Sequence, residues 1–327
     1  MKHFFIYFYK YYKCFPLQFV MNYTLHQLQI FLKITELKSI TKASKALFLS
    51  QPAVSIQLKK FQNQFSIPLT EVIGRQLYVT EFGKEIAEAA EKILNEVEMI
   101  NYKSLAFKGE VAGRLKISVV STGKYVMPYF LSDFMKDNKG VDLVMDVTNK
   151  ESVIKSLSEN KVDFSLVSVV PEQLKLNCLE LMENKLFLIG NGDTNISISA
   201  SNDEIFEQYP LLYREEGSAT RNAMEDFIAS KDLPTRKKME LTSNEALKQA
   251  VIAGLGVTIM PLIGLKNELK NGDLKIIPFK GLPLITNWNL IWLKNKKLSP
   301  TAEAYLDFIS SEKDRITAKN FEWHESY

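Results

Sequence analysis

The sequence predicts a multidomain α+β chain. It begins with a winged helix-turn-helix, continues through a long linker helix and ends in a two-lobed α/β body. Three observations carry this. Residues 41–65, TKASKALFLSQPAVSIQLKKFQNQF, read as two short helices around a tight turn. Residues 81–108 hold one glycine, no proline and a heptad of isoleucines. From residue 114 onward, strand-like and helical runs alternate. A chain of 327 residues can bury two or three cores, and 46% hydrophobic with 24% charged residues is ordinary for a soluble globular protein.

Residues 1–20, MKHFFIYFYKYYKCFPLQFV, differ from the rest in their aromatic content. The apolar run is too short for a membrane span, is followed by lysines and has no small-residue cleavage site. We expect upstream sequence ahead of a start at Met21, with a membrane-surface anchor as the weaker reading.

The expected DNA-binding domain covers residues 21–80. A helix at 25–37 presents Leu28, Phe31, Leu32 and Thr35 on one stripe. In the motif, Ala43, Ala46 and Leu47 line one helix and Val54, Leu58 and Phe61 the other. Ser50 stands at an N-cap, with Pro52 in the first turn, where its missing N–H costs nothing. Gln51, Ser55, Lys59 and Lys60 are left outward, as hydrogen-bonding and cationic groups suited to base edges and phosphates, with Thr41 and Pro52 as further candidate DNA contacts. Residues 69–80 read as a hairpin wing with Arg75 at its tip. Between residues 21 and 80, seven cations face two anions, whereas the whole chain carries only +3. A basic head on a near-neutral body is the footprint of nucleic-acid binding. The competing reading is a plain helical hairpin with a solvated face.

In the linker helix, Ile86, Ile93 and Ile100 recur every seven residues, with Ala90 and Val97 between them. That seam favours a two-stranded coiled coil and hence a homodimer reading symmetric, inverted-repeat half-sites. The other reading is a helix packed on its own domain.

The α/β body is expected at residues 114–310, with lobe I at 114–189 and 286–310, lobe II at 190–285, and 311–327 as a tail. Strand-like runs at 115–120, 141–147, 162–170 and 185–189 alternate with helical stripes, which argues for a mainly parallel sheet. Ligands in such sheets sit at the carboxyl ends of strands, near helix N-termini. Ser121, Thr122, Thr148, Asn149 and Ser168 fall there in one lobe. Arg214, Gly217, Ser218 and Thr220 of REEGSATR fall there in the other. Together they suit a small anion, although each hydroxyl or amide taken alone reads as a helix cap.

Cys14 and Cys178 make no CxxC, and the three histidines have no ligand spacing, so no metal or cofactor is expected. Gly254 and Gly256 in AGLGVT lack the third glycine of a dinucleotide fingerprint, and no carboxylate–histidine cluster suggests catalysis. A solute-binding protein or an enzyme built on the two-lobed body are the rival readings. The first predicts an export signal and no basic head.

LHQLQIFLKITELKSITKASKALFLSQPAVSIQLKKFQ, IPL…GRQLYVTEFG and ALKQAVIAGLGVTIMP resemble the LysR-type transcriptional regulators over residues 21 to about 310. RLKISVVSTGKYVMP and REEGSATR are most similar to the branch of carbon-fixation gene regulators. The resemblance implies an effector domain like a type II periplasmic binding protein, a cytoplasmic homotetramer, a small-molecule effector, and double-stranded DNA as partner. RNA polymerase is a further candidate partner, and no membrane is implied. DNA contacts would fall on Gln51, Pro52, Ser55, Lys59 and Arg75, and effector contacts on Ser121, Thr122, Thr148, Ser168 and residues 217–220. The chain departs from the pattern at Ile56, where many members are polar, and at Leu69, Thr70, Glu71 and Val72, where Leu-Phe-x-Arg is common. The cysteine pair of the peroxide-sensing branch is missing from the body, which holds Cys178 alone.

Overall fold

The computed structural model describes residues 22–74, 76–107, 110–194, 204–234 and 237–327. The leader at 1–20, Cys14 and Arg75 lie outside the described residues. Two compact units divide the chain, 1–101 and 102–327.

The first unit holds α1 (Leu25–Leu37), α2 (Ile40–Ala46), α3 (Gln51–Gln62), β1 (Thr70–Ile73), β2 (Gln76–Val79) and most of α4 (Glu81–Ala106). Each helix start is written locally. Thr24 and Gln27 form a reciprocal capping box on α1, Ser39 accepts from Lys42 N, and Ser50 accepts from Ala53 N. The core gathers Ile30, Phe31, Ile34, Val54 and Phe61, all fully buried, with the Phe31 and Phe61 rings 5.2 Å apart. The stripe on α1 is therefore centred on Ile30 and Ile34, while Leu32 and Thr35 sit at its margin, only half-buried. Ala46 faces out, and Ser44 takes the inward place beside Ala43.

The wing pairs Thr70 with Val79 and Ile73 with Gln76, turning at Gly74, whose φ of +55° suits glycine. Thr80 ties the wing to α4: its hydroxyl donates to Pro68 O at 2.7 Å and accepts from Gly83 N at 2.9 Å. The seam on α4 divides. Ala90 is buried in the head's core and Ile86 packs against it, so those heptad positions serve the head itself. Ile93 and Ile100 stay 40% and 67% exposed.

The second unit is built on a seven-stranded sheet. β3 (Ala112–Val120) lies between β4 (Gly140–Thr148) and β5 (Phe164–Val167), parallel to both. β11 (Leu284–Leu293) runs antiparallel to β5 and to β6 (Leu176–Asn191). The sheet is thus mixed, not mainly parallel, because two long strands return through its middle. β6 spans both lobes. It pairs with β11 through residues 176–186, then with β9 (Thr258–Pro261) and β10 (Leu274–Ile277) from Leu186 onward. β7 (Leu211–Arg214) and β8 (Lys238–Leu241) form a parallel pair joined to the rest at Leu211 and Val257.

Helices pack on these strands: α5 (Met127–Asp137) and α6 (Lys150–Ser158) in lobe I, and α7 (Glu204–Gln208), α8 (Ala219–Ser230), α9 (Asn244–Ile252) and α10 (Lys266–Asn271) in lobe II. The two glycines of AGLGVT have structural work. Gly254 adopts φ +75° after α9, and a Cβ on Gly256 would stand 2.1 Å from Pro210 O.

The tail expected at 311–327 is corrected by the structure. α11 (Pro300–Phe321) runs through residue 310 without a break, burying Ile316 and Phe321, and a 3-10 turn follows. Lys185 of β6, itself buried, donates to His324 O at 3.3 Å and pairs with Glu325 at 3.4 Å. The sequence signal is weak here because charged residues interrupt the apolar stripe after Ile309.

His324 is 1% exposed, and neither ring nitrogen has a partner. Burial, reinforced by the Lys185 ammonium, pushes its pKa down from 6.5 to about 4. The unfolded chain therefore binds a proton that the folded chain refuses. This contribution to stability is complete above about pH 6.5 and is lost as pH falls toward 4, by on the order of 3 kcal/mol. We expect His324→Phe to flatten the fall in stability over that interval in denaturant titrations. A fall of the same size in the variant would acquit His324.

Candidate functional site

Two sites emerge, one on each unit. On the head, α3 buries Val54, Leu58 and Phe61 and leaves Gln51, Pro52, Ser55, Ile56, Lys59 and Lys60 exposed. Thr41, on α2, is exposed as well. Lys59 and Lys60 form no ion pair among the described residues, so their charge is available to an external anion. Gln57 is held from the side, accepting from Gln27 Nε2 at 3.0 Å. Two apolar side chains break this polar surface: Ile56 at 54% exposure and Phe48, in the turn, at 96%. Phe48 also holds a φ of +55°, uncommon for a bulky residue. Its exposure is not legible in sequence, since a phenylalanine beside Leu47 and Leu49 reads as core.

In the body, the ends of β3 and β5 face the β7–α8 turn. Seven of the nine expected effector residues line one small cleft: Ser121, Thr122, Asn149, Ser168, Arg214, Ser218 and Thr220. Thr148 and Gly217 do not line it. Thr148 ends β4 at the edge of the sheet, and Gly217 (φ +80°) supplies the turn that carries Ser218 inward. Lys150 and Glu215 also line the cleft, and Asn244 reaches the same centre.

The capping reading separates these residues. The Asn149 side chain caps α6, accepting from Ser152 N at 2.9 Å. Ser218 stands at the N-cap of α8 but makes no side-chain cap bond. This buried serine thus lines the cleft without capping the helix.

Arg214 dominates the electrostatics. It is 3% exposed and held side-on by Glu215, Nε to Oε2 at 2.8 Å and Nη2 to Oε1 at 2.7 Å. Both terminal nitrogens donate to Ser121 Oγ across the cleft at 3.3 Å, and Asn244 Nδ2 donates to the same oxygen at 3.0 Å. Asn244 Oδ1 is buried and without a partner. The lobes are closed on themselves here, and the remaining volume of about 20 Å³ suits little more than one water. The sequence singles out Arg214 and Ser121 separately. It cannot show that they meet, because 93 residues part them.

Among the described residues no cluster of histidine, cysteine or carboxylate could hold a metal ion, and no helix is long and apolar enough to cross a membrane. Cys178 donates to Asn289 Oδ1 at 3.2 Å, and burial pushes its thiol pKa up, so it is not an activated thiolate.

A winged helix-turn-helix joined to a two-lobed body with a polar cleft defines a ligand-responsive DNA-binding regulator. The chain belongs to the LysR family. Residues 25–84 match the bacterial regulatory helix-turn-helix protein of the lysR family, and residues 108–314 match the LysR substrate binding domain. It is 33% identical over 302 residues to the HTH-type transcriptional activator CmpR of Synechocystis, covering 90% of this chain and 98% of that one. It is 34% identical to the RuBisCO operon transcriptional regulator of Allochromatium vinosum, over 90% of this chain and 98% of that one. The Synechocystis CcmR regulatory domain, solved in complex with 2-PG, aligns with TM-score 0.56 and 31% identity, over 62% of this chain and 97% of that one. The protein is a transcriptional regulator and not an enzyme. The likeness to carbon-fixation regulators that the sequence suggests is borne out by these relatives.

Proposed function

We propose that this regulator, a cytoplasmic homotetramer built from linker-helix dimers, binds inverted-repeat promoter sites through Gln51, Ser55, Lys59 and Lys60. We further propose that a small anion bound between its lobes sets its response. Arg214 carries this reading: a buried guanidinium, directed across the cleft at Ser121, is already holding a carboxylate. Glu215 stands in for the effector anion. A carboxylate or phosphate entering the cleft takes over Arg214 and the hydroxyls of Ser121, Thr122, Ser218 and Thr220, and the lobes rearrange to admit it. An effector acts only through its different affinity for the two arrangements. The 2-PG held by the CcmR regulatory domain is an anion of this kind. Likeness to RuBisCO operon regulators makes carbon-fixation genes the first targets to test.

On the DNA side, Lys59 is assigned to phosphate and Gln51 to a base edge. Ile56 suits the methyl group of a thymine. We expect Lys59→Ala to weaken binding to all duplexes about equally and to reduce the salt slope by about 0.9. Gln51→Ala should relax sequence preference, with a loss of about 1–3 kcal/mol confined to the specific site. The protein is mixed with sheared genomic DNA from its source, and the retained fragments are sequenced. Intergenic fragments sharing an inverted repeat are the expected result, and the variants are then compared on that repeat. Equal effects of both variants on specific and random duplexes would reverse the assignment.

A further inference from the structure

A second cavity, of about 580 Å³, opens beside the 3-10 turn Gly123–Tyr125, whose preceding residues Ser121 and Thr122 line the cleft. Its walls come from both lobes and from the end of α11. Lys124 and Tyr129 belong to lobe I, Lys248 and Lys266 to lobe II, and Phe321 and Trp323 to the C-terminal segment. Trp323 packs against the cores of both lobes. Gly264 lets the lobes meet closely here, since a Cβ on it would come within 2.7 Å of the Tyr125 ring. Tyr125 then donates from its hydroxyl to Glu245 at 3.2 Å.

The charge in this cavity is unbalanced. Three lysines and one glutamate line it. Lys248, itself buried, is committed to Glu268 at 2.6 Å and to Glu245 at 3.2 Å. That leaves Lys124 and Lys266, neither with a carboxylate partner among the described residues. Each instead lies over an aromatic face, Lys124 Nζ 4.9 Å from the Tyr125 centroid and Lys266 Nζ 5.4 Å from that of Trp323. Tyr129 and Phe321 extend the aromatic wall, with rings 5.2 Å apart. Asn267 and Asn320 add amide groups at the rim.

We infer that this cavity is a second ligand site, separate from the Arg214 cleft, for an organic anion with a flat, ring-bearing body. The ring stacks on the wall of Tyr129 and Trp323, and its acidic group meets the ammonium groups of Lys124 and Lys266. The volume falls within the range of small-molecule pockets, about 300–1,000 Å³, and the mixture of apolar wall with a few convergent polar groups is typical of them. The site stands or falls independently of what occupies the cleft.

The probe is 8-anilino-1-naphthalenesulfonate, a flat aromatic anion, titrated by fluorescence into the full chain and into Lys124→Gln/Lys266→Gln. Its uncharged relative N-phenyl-1-naphthylamine serves as control. Lys266 is exposed and Lys124 half-buried, and neither belongs to the core, so the double variant should melt at the same temperature as the parent. We expect saturable binding of the sulfonate to the parent, at least tenfold weaker in the double variant, with the uncharged dye unaffected. Equal affinity of the sulfonate for both proteins, or no saturable binding to the parent, would overturn the site. An equal loss for both dyes would overturn the role given to the two ammonium groups.

Discussion

Arg214→Met is expected to weaken anion binding by about a hundredfold, while leaving the affinity for random DNA unchanged. The side-chain stem is kept and the charge is removed. A charge-assisted contact in a desolvated cleft contributes about 1.5–3 kcal/mol, and a bidentate one lies at the upper end. Stability should also fall, because Glu215, 19% exposed in its side chain, loses its counter-charge. Glu215→Gln separates the two effects. With the internal carboxylate gone, an incoming anion no longer has to displace one, so affinity should rise by about tenfold. Opposite signs for two adjacent residues are hard to obtain from a general loss of folding. Calorimetric titration with 2-PG and with other phosphate- and carboxylate-bearing metabolites would read both. Thr122→Val, which changes no charge, should lose the ligand response and keep DNA binding. An unchanged isotherm for Arg214→Met would remove the cleft as the effector site.

The residues around the cleft divide into those a linear chain reveals and those it hides. Helix starts are legible because capping is local: Ser50, Asn149, Ser243 and Ser299 each accept from a backbone N–H three residues on. The same locality sets the limit. A side chain that caps a helix and one that meets a ligand look alike in sequence, and only the missing cap bond at Ser218 tells it from Asn149. Lys150 and Glu215 escape a sequence reading of the site because charged residues beside turns are ordinarily solvated. What marks Glu215 is the burial of its neighbour Arg214, a tertiary fact.

Strand order is less legible than strand position. Alternating strand and helix predicts parallel pairing, and β4, β3 and β5 comply. The long β6 and β11 pair across about a hundred residues of lobe II, so nothing local announces that they return antiparallel. The end of α11 is hidden by charge. Its inward residues Ile316 and Phe321 are widely spaced among Lys, Asp, Arg and Asn, which reads as solvated tail until Lys185 and the His324 turn are seen beneath it.

The linker helix gives the second large effect. Ile93→Asp/Ile100→Asp is expected to break the proposed linker-helix pairing at micromolar concentration, lowering the mass of the assembly, and to remove the affinity gained from the second half-site of an inverted repeat. In the proposed dimer the heptad serves two surfaces. Ile86 and Ala90 complete the core of the head, so changing them would unfold it. Among the described residues, Ile93 and Ile100 belong to no core; they are 40% and 67% exposed on a charged helix. Covering each isoleucine in both partners is worth about 1.5–3 kcal/mol per side chain, and placing a carboxylate in the seam adds a desolvation cost. In the proposed dimer, four isoleucines across the seam are thus replaced by four mutually repelling charges. The head, whose core includes neither residue, should keep its melting temperature. Sedimentation equilibrium reads the mass, and a half-site duplex compared with the full repeat reads the consequence. Binding to the half-site should match that of one head of the parent, while the gain from a second half-site disappears. A variant whose assembly keeps the parent's mass would place the pairing surface elsewhere and leave the two exposed isoleucines without a role in assembly.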